Sequence, residues 1–245
     1  MTQINAEGAG GRMTVGEFLE RTAQRDRGHG FFELESAHML EVNLDDRRPS
    51  VWTKMGGMVA YVGNVKFTRQ GMMEEGLGKF LKRQLTGEGA KLTKAEGRGR
   101  VYLADDGKKL TVLDLREEQV VVNGEDLIAF EPTLKYDVRM MRKLSAVVSG
   151  GLFNVHIEGT GLLAIGTHHD PLTLRVKPGE SVFTDPNATV AWSGNLTPNF
   201  KTDMSLKTFV GRGSGESFQM QFDAQHGEGW VVVQPYEETP LQASS

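Results

Sequence analysis

The chain repeats itself, and that limits its fold more than any single motif does. Sliding the 245-residue sequence by 62 positions aligns 96–134 with 158–196 without a gap. Nine positions are identical: Glu96/Glu158, Gly97/Gly159, Gly99/Gly161, Leu110/Leu172, Thr111/Thr173, Glu118/Glu180, Val120/Val182, Ala129/Ala191 and Leu134/Leu196. Ordinary composition gives roughly two or three over such a stretch, so one structural pattern is used more than once. Val101/Leu163, Leu103/Ile165, Ile128/Val190 and Phe130/Trp192 are conservative pairs at alternating or paired apolar positions, as half-buried strands require.

A third copy appears at an offset of 69, where Val51, Val59, Ala60, Tyr61 and Val65 meet Val120, Ile128, Ala129, Phe130 and Leu134. Each unit thus carries an aliphatic–Ala–aromatic triplet. Gly-x-Gly followed by an apolar strand also recurs, at Gly97/Gly99, Gly159/Gly161 and Gly227/Gly229. The last copy lies near the end of the chain, which predicts a circular closure with the strand at Trp230 to Gln234 beside His38 to Leu44. Three sheets packed about a pseudo-threefold axis are then expected to bury all three triplets centrally. Thirty glycines against eight prolines fit short strands that reverse often, so the fold class is all-β: three diverged strand-rich repeats in a sandwich or β-helix-like domain.

Outside the units, residues 1–30 form an extension in which Thr14 and Glu17 have the capping-box spacing of a short helix. A second, linking helix is expected over Met72 to Leu85, with Met73, Leu77, Phe80, Leu81 and Leu85 on one side and Lys79, Lys82 and Arg83 on the other. The repeated domain is assigned to 31–236 and a disordered tail to 237–245.

Composition excludes several chemistries. Without cysteine there is no disulfide, thiolate nucleophile or Cys-based metal site. A formal charge of −4 gives no general attraction to phosphate backbones, so nucleic acid is a poor candidate partner. No apolar run reaches the ~18 residues of a membrane span, and the acidic N-terminal region is unlike a presequence, so a cytoplasmic location is expected.

His168-His169-Asp170 aligns with Asp106-Gly107-Lys108 and is predicted to be a solvated turn rather than a metal site. His38, His156 and His226 are expected as hydrogen-bonded structural residues, and no strand carries the His-x-His pair of a cupin. The Gly-x-Gly elements lead into strands and lack the Lys-Ser/Thr ending of a phosphate loop, so bulges or tight bends are expected. Lys79, Lys82 and Arg83 remain the candidate partner surface, with Arg98, Arg100, Arg139, Arg142 and Lys143 as an extension; no catalytic, cofactor or metal residues are assigned.

Four stretches, Lys54-Met-Gly-Gly-Met-Val-Ala, Leu81-Lys-Arg-Gln-Leu-Thr-Gly-Glu, Gly150-Gly-Leu-Phe-Asn-Val and Gly229-Trp-Val-Val-Val-Gln, are similar to the family named for altered inheritance of mitochondria, number twenty-four. The resemblance covers about residues 31–236. It implies a β fold grouped with the trp RNA-binding attenuation protein, homo-oligomeric assembly and no catalytic residues to carry over; mitochondrial members are associated with inner-membrane organisation. This chain departs from the family at Gly87-Glu-Gly89, where a serine usually follows the glutamate, and in its longer polar segment from Asp223 to His226.

The function expected is that of a non-enzymatic interaction or scaffold protein. It would bind itself, with a trimer as the expected assembly, and an unidentified protein partner. RNA or small-ligand binding by fold analogy and a cupin-like metal-dependent enzyme are the alternatives.

Overall fold

A computed structural model describes residues 12–24, 30–70, 92–140, 153–202, 218–225 and 227–236. Its order is simplest to follow by repeat. The first unit contains β1 (Phe32–Ser36), β2 (Met39–Leu44), β3 (Ser50–Lys54), β4 (Met58–Arg69) and β5 (Leu92–Leu103). The second holds β6 (Lys109–Asn123), β7 (Leu127–Phe130), β8 (Lys135–Met140) and β9 (Phe153–Thr167). The third holds β10 (Leu172–Val176), β11 (Ser181–Thr184), β12 (Thr189–Ser193), β13 (Asn199–Thr202), β14 (Phe218–Asp223) and β15 (Gly229–Val233). The protein is therefore all-β apart from α1 (Val15–Thr22), whose N-terminus is closed by the expected box: Thr14 Oγ1 accepts from Glu17 N, and Glu17 Oε2 accepts from Thr14 N at 2.7 Å.

Hydrogen-bond register ties the units together residue by residue. Leu44 faces Gly99, Leu115 faces Gly161 and Val176 faces Gly229, so the second glycine of each Gly-x-Gly meets an aliphatic residue at the same point of its own unit. Ala60 faces Tyr102, Ala129 faces Ala164 and Ala191 faces Val232, and a register shift precedes the alanine each time. One further backbone bond recurs: Ala104 N to Gly57 O, Gly166 N to Asp126 O and Gln234 N to Ala188 O, at 2.8–2.9 Å.

Two sequence expectations are corrected. The Gly-x-Gly pairs do not precede their strands in the first two units; they lie inside β5 and β9, with positive φ at all four glycines. There the strand changes partners, from β3 to β2 along β5 and from β8 to β7 along β9. In the third unit three additional residues separate the two halves into β14 and β15, and Gly229 opens the second. Because the glycine strand ends each unit, the repeats run in tandem, and among the described strands the expected pairing of β15 with β2 is not made. β15 pairs with β10 and β12, β2 pairs with β1 and β5, and six strands separate β2 from β15 along the sheet β1-β2-β5-β3-β7-β9-β6-β12-β15-β10.

Adjacent units are joined by strand pairing. β3 of the first pairs with β7 of the second, and the far half of β6 pairs with β12 of the third. Side chains follow the backbone across each joint. Ile128 and Ala129 complete the core around Val42, Val51, Val101 and Leu103, while Val190 and Ala191 complete the core around Val120, Val155, Ile157 and Leu163. Each of the first two cores thus borrows the aliphatic–Ala pair of the unit that follows.

Candidate interaction surface

The same triplet in the first unit meets no such neighbour among the described residues. Ile128, Phe130, Val190 and Trp192 are at most 2% exposed, whereas Val59, Tyr61 and Val62 are 53%, 49% and 56% exposed. Composition does not account for the difference; strand position does. β7 lies between β3 and β9, and β12 lies between β6 and β15, but the stretch of β4 from Met58 to Val62 pairs only with β5 among the described strands. Its outer N–H and C=O groups and an apolar row are left at an edge, where soluble proteins ordinarily place charge, proline or a cover. Of the three triplets expected to be buried, the second and third are, and the first is not.

Aromatic packing marks the same difference. At the first joint Trp52 lies 6.5 Å from Phe130 and 5.3 Å from Tyr136, and those two rings are 5.1 Å apart. The offset of 69 maps Phe130 and Tyr136 onto Tyr61 and Phe67, which contact each other edge-on at 5.3 Å. The described residues of this chain place no counterpart of Trp52 upon them.

The sequence-assigned surface, Lys79, Lys82 and Arg83, lies outside the described residues with the rest of the predicted 72–85 helix, and so do Arg142, Lys143 and His226. The described members of the proposed basic extension are dispersed: Arg98 pairs with Asp46 at 3.0 Å, and Arg139 with Asp137 at 2.7 Å on another unit. His38 Nδ1 is 3.1 Å from the Lys108 carbonyl. His168-His169-Asp170 forms the turn between β9 and β10, where Asp170 meets Lys109 at 2.6 Å; the lysine holds its carboxyl below the usual range. Among the described residues, no three His, Asp or Glu side chains come together as a metal site.

His156 faces a groove of about 330 Å³ between the second and third units, bordered by Gln119, Lys135, Asp137, Arg139, Leu196 and Thr197. Burial, and then the Arg139 cation, lower its pKa, so the ring is neutral near pH 7. Arg139 Nε donates to Asp137 Oδ2 and so occupies the carboxylate beside the imidazole. The groove is polar and open on one side. The β4 edge is the stronger feature because the protein's own repeats show what such a strand looks like when covered.

A family model described as mitochondrial biogenesis AIM24 matches residues 32–236, which is most of the chain. The chain belongs to this family. The AIM24 match begins at the first residue of β1, leaving α1 outside it, and ends three residues beyond β15. No curated protein matches the chain. The crystal structure of protein SPYM3_0169 from Streptococcus pyogenes is similar in fold, with a TM-score of 0.64 and 23% identity over 84% of this chain and 92% of that one. No described helix of this AIM24 member is long and apolar enough to cross a membrane.

Proposed function

We propose that this AIM24 family member is a non-enzymatic scaffold subunit that acts as a homo-oligomer. The observation that carries the reading is the exposed edge of β4, whose equivalents in β7 and β12 are buried by strand pairing. Fully burying an exposed Val side chain contributes about 1.5–3 kcal/mol; Val59, Tyr61 and Val62 start about half exposed, so covering them contributes a part of that each, with strand hydrogen bonds added. A trimer is the assembly size proposed, in the reducing cytoplasm of the cell.

Light scattering on a size-exclusion column tests this. The unmodified chain is expected to elute at a multiple of its own mass, and Val59→Lys with Tyr61→Lys to elute at the monomer mass with an unchanged far-ultraviolet spectrum. If the unmodified chain is monomeric at every concentration, the reading fails. RNA binding, the fold-analogy alternative, would appear as a gel shift that weakens steeply between two salt concentrations; stoichiometric metal in untagged protein would instead favour the cupin-like alternative.

A further inference from the structure

The repeat also specifies what covers the β4 edge. Within the chain, β3 presents Trp52 opposite Phe130 and Thr53 opposite Ala129, while β6 presents Val121 opposite Trp192 and Val122 opposite Ala191. The third strand of this kind is β11. Val51 faces Ala95, Val120 faces Ile157 and Val182 faces Phe222, and this common register makes Phe183 the counterpart of Trp52 and Val121, and Thr184 that of Thr53 and Val122. β11 pairs only with β14 among the described strands, and Phe183 is 48% exposed, with the Lys201 ammonium 5.7 Å above its ring. Among the described residues each chain therefore has one incomplete joint at each end of the series, and the two halves are complementary.

The cores give the same answer independently. The first receives Ile128 and Ala129 and the second receives Val190 and Ala191. The third, built from Val121, Val176, Trp192, Leu196, Met220, Phe222 and Val231, receives no aliphatic–Ala pair among the described residues, and Val59 and Ala60 fill none of the described cores. We propose that β11 of one copy pairs antiparallel with β4 of a second copy, Phe183 opposite Tyr61 and Thr184 opposite Ala60. Val59 and Ala60 of the second copy then close the third core of the first, and Phe183 supplies the aromatic missing above Tyr61 and Phe67. The contact is head to tail, each copy using a different face toward each neighbour. It rests on the oligomer reading and adds the surfaces and their register.

Cysteine cross-linking tests it cleanly because the chain has none of its own. Tyr61→Cys carrying a large tag and Phe183→Cys without one are co-expressed and treated with a short bis-maleimide. The expected product joins one tagged to one untagged chain, and neither variant links when made alone. Val62→Cys with Val182→Cys, one position along the same register, gives the same outcome and serves if either first variant misfolds. Tagged-to-tagged links between two copies of the Tyr61→Cys variant would mean that β4 pairs with itself, and an oligomer with no link from either pair would mean that another surface builds it; each result overturns the proposal while leaving the oligomer. A monomeric unmodified chain removes both.

Discussion

Lys108 is 1% exposed, and its ammonium is held by the Glu125 carbonyl at 2.7 Å and by Asp126 Oδ1 at 3.0 Å. Gln234, at the far end of the third unit, donates to the same Asp126 oxygen at 3.3 Å, and Lys54 from the first unit donates to the Glu125 carbonyl at 2.8 Å. One buried ionic cluster thus links turns from all three units. Asp126 is the nearer of two carboxylates on the buried ammonium, Asp105 Oδ2 lying at 3.4 Å, so Asp126→Ala removes a charge-assisted bond and is expected to cost about 1.5–3 kcal/mol in urea unfolding. Replacing Lys108 and Asp126 together with Met and Leu should cost much less than Asp126→Ala alone, which would separate pairing from packing. Tyr102 gives a residue-scale prediction in pH. Desolvation, and then its hydrogen bond to Glu41, push its phenol up to about 12 from 10.0. Its folded value lies above its unfolded one, so its contribution is complete below pH 10 and is lost as pH rises through about 12. In ultraviolet titration of the native protein Tyr102→Phe should delete a phenol that ionises near pH 12, and loss of one that ionises near pH 10 instead would contradict this environment.

Among the elements, the strand interrupted by glycine is the most constrained. A Cβ on Gly97 or Gly99 would lie 2.0 Å from the carbonyl oxygen of Asn64 or Val62, because β4 continues without a break across both positions. In the second unit the Glu131 to Leu134 turn separates β7 from β8 beside Gly159, where an added Cβ meets only Leu134 Cδ2, at 3.7 Å. Both sites also have positive φ, so any side chain is strained, but only the first adds a backbone clash. Gly99→Ala is therefore expected to destabilise by about 3 kcal/mol or more, and Gly159→Ala by clearly less, in parallel denaturant melts. This geometry also explains what the sequence could reveal about the elements. Alternation and identity located the strands and the triplets, and Thr14 with Glu17 located α1. The phase of the repeat was not legible, since a glycine pair reads equally well as the start of a unit or the middle of its last strand; only pairing partners decide.

At the scale of the whole molecule, that ambiguity of phase became an error of topology. A unit that begins with Gly-x-Gly needs its last copy brought back to the start, which predicts closure; a unit that ends with it leaves β4 and β11 with one strand partner each among the described residues. Val59-Ala60-Tyr61 has the same residue character as Ile128-Ala129-Phe130, so nothing local distinguishes the edge strand from the buried ones. The signal that could have found it is arithmetic: with three units in line there are two joints, and one half-joint remains at each end. Phe183 carries no repeat signal of its own, because Val121, not another aromatic, occupies the intermediate position at the second joint.

Borrowing forward has a consequence for synthesis. The first hydrophobic centre lacks Ile128 and Ala129 until about half the polypeptide has been translated, and the second waits in the same way for Val190 and Ala191. A ribosome-bound chain in which only residues before 120 have emerged should remain protease-sensitive, and protection of residues 32–70 and 92–103 should appear only once Ile128, Ala129 and then Ala164 have cleared the exit tunnel. Protection arising earlier would show that the leading unit matures on its own. On the proposed pairing of β11 with β4, the trailing unit would finish only after it leaves the ribosome and meets another chain.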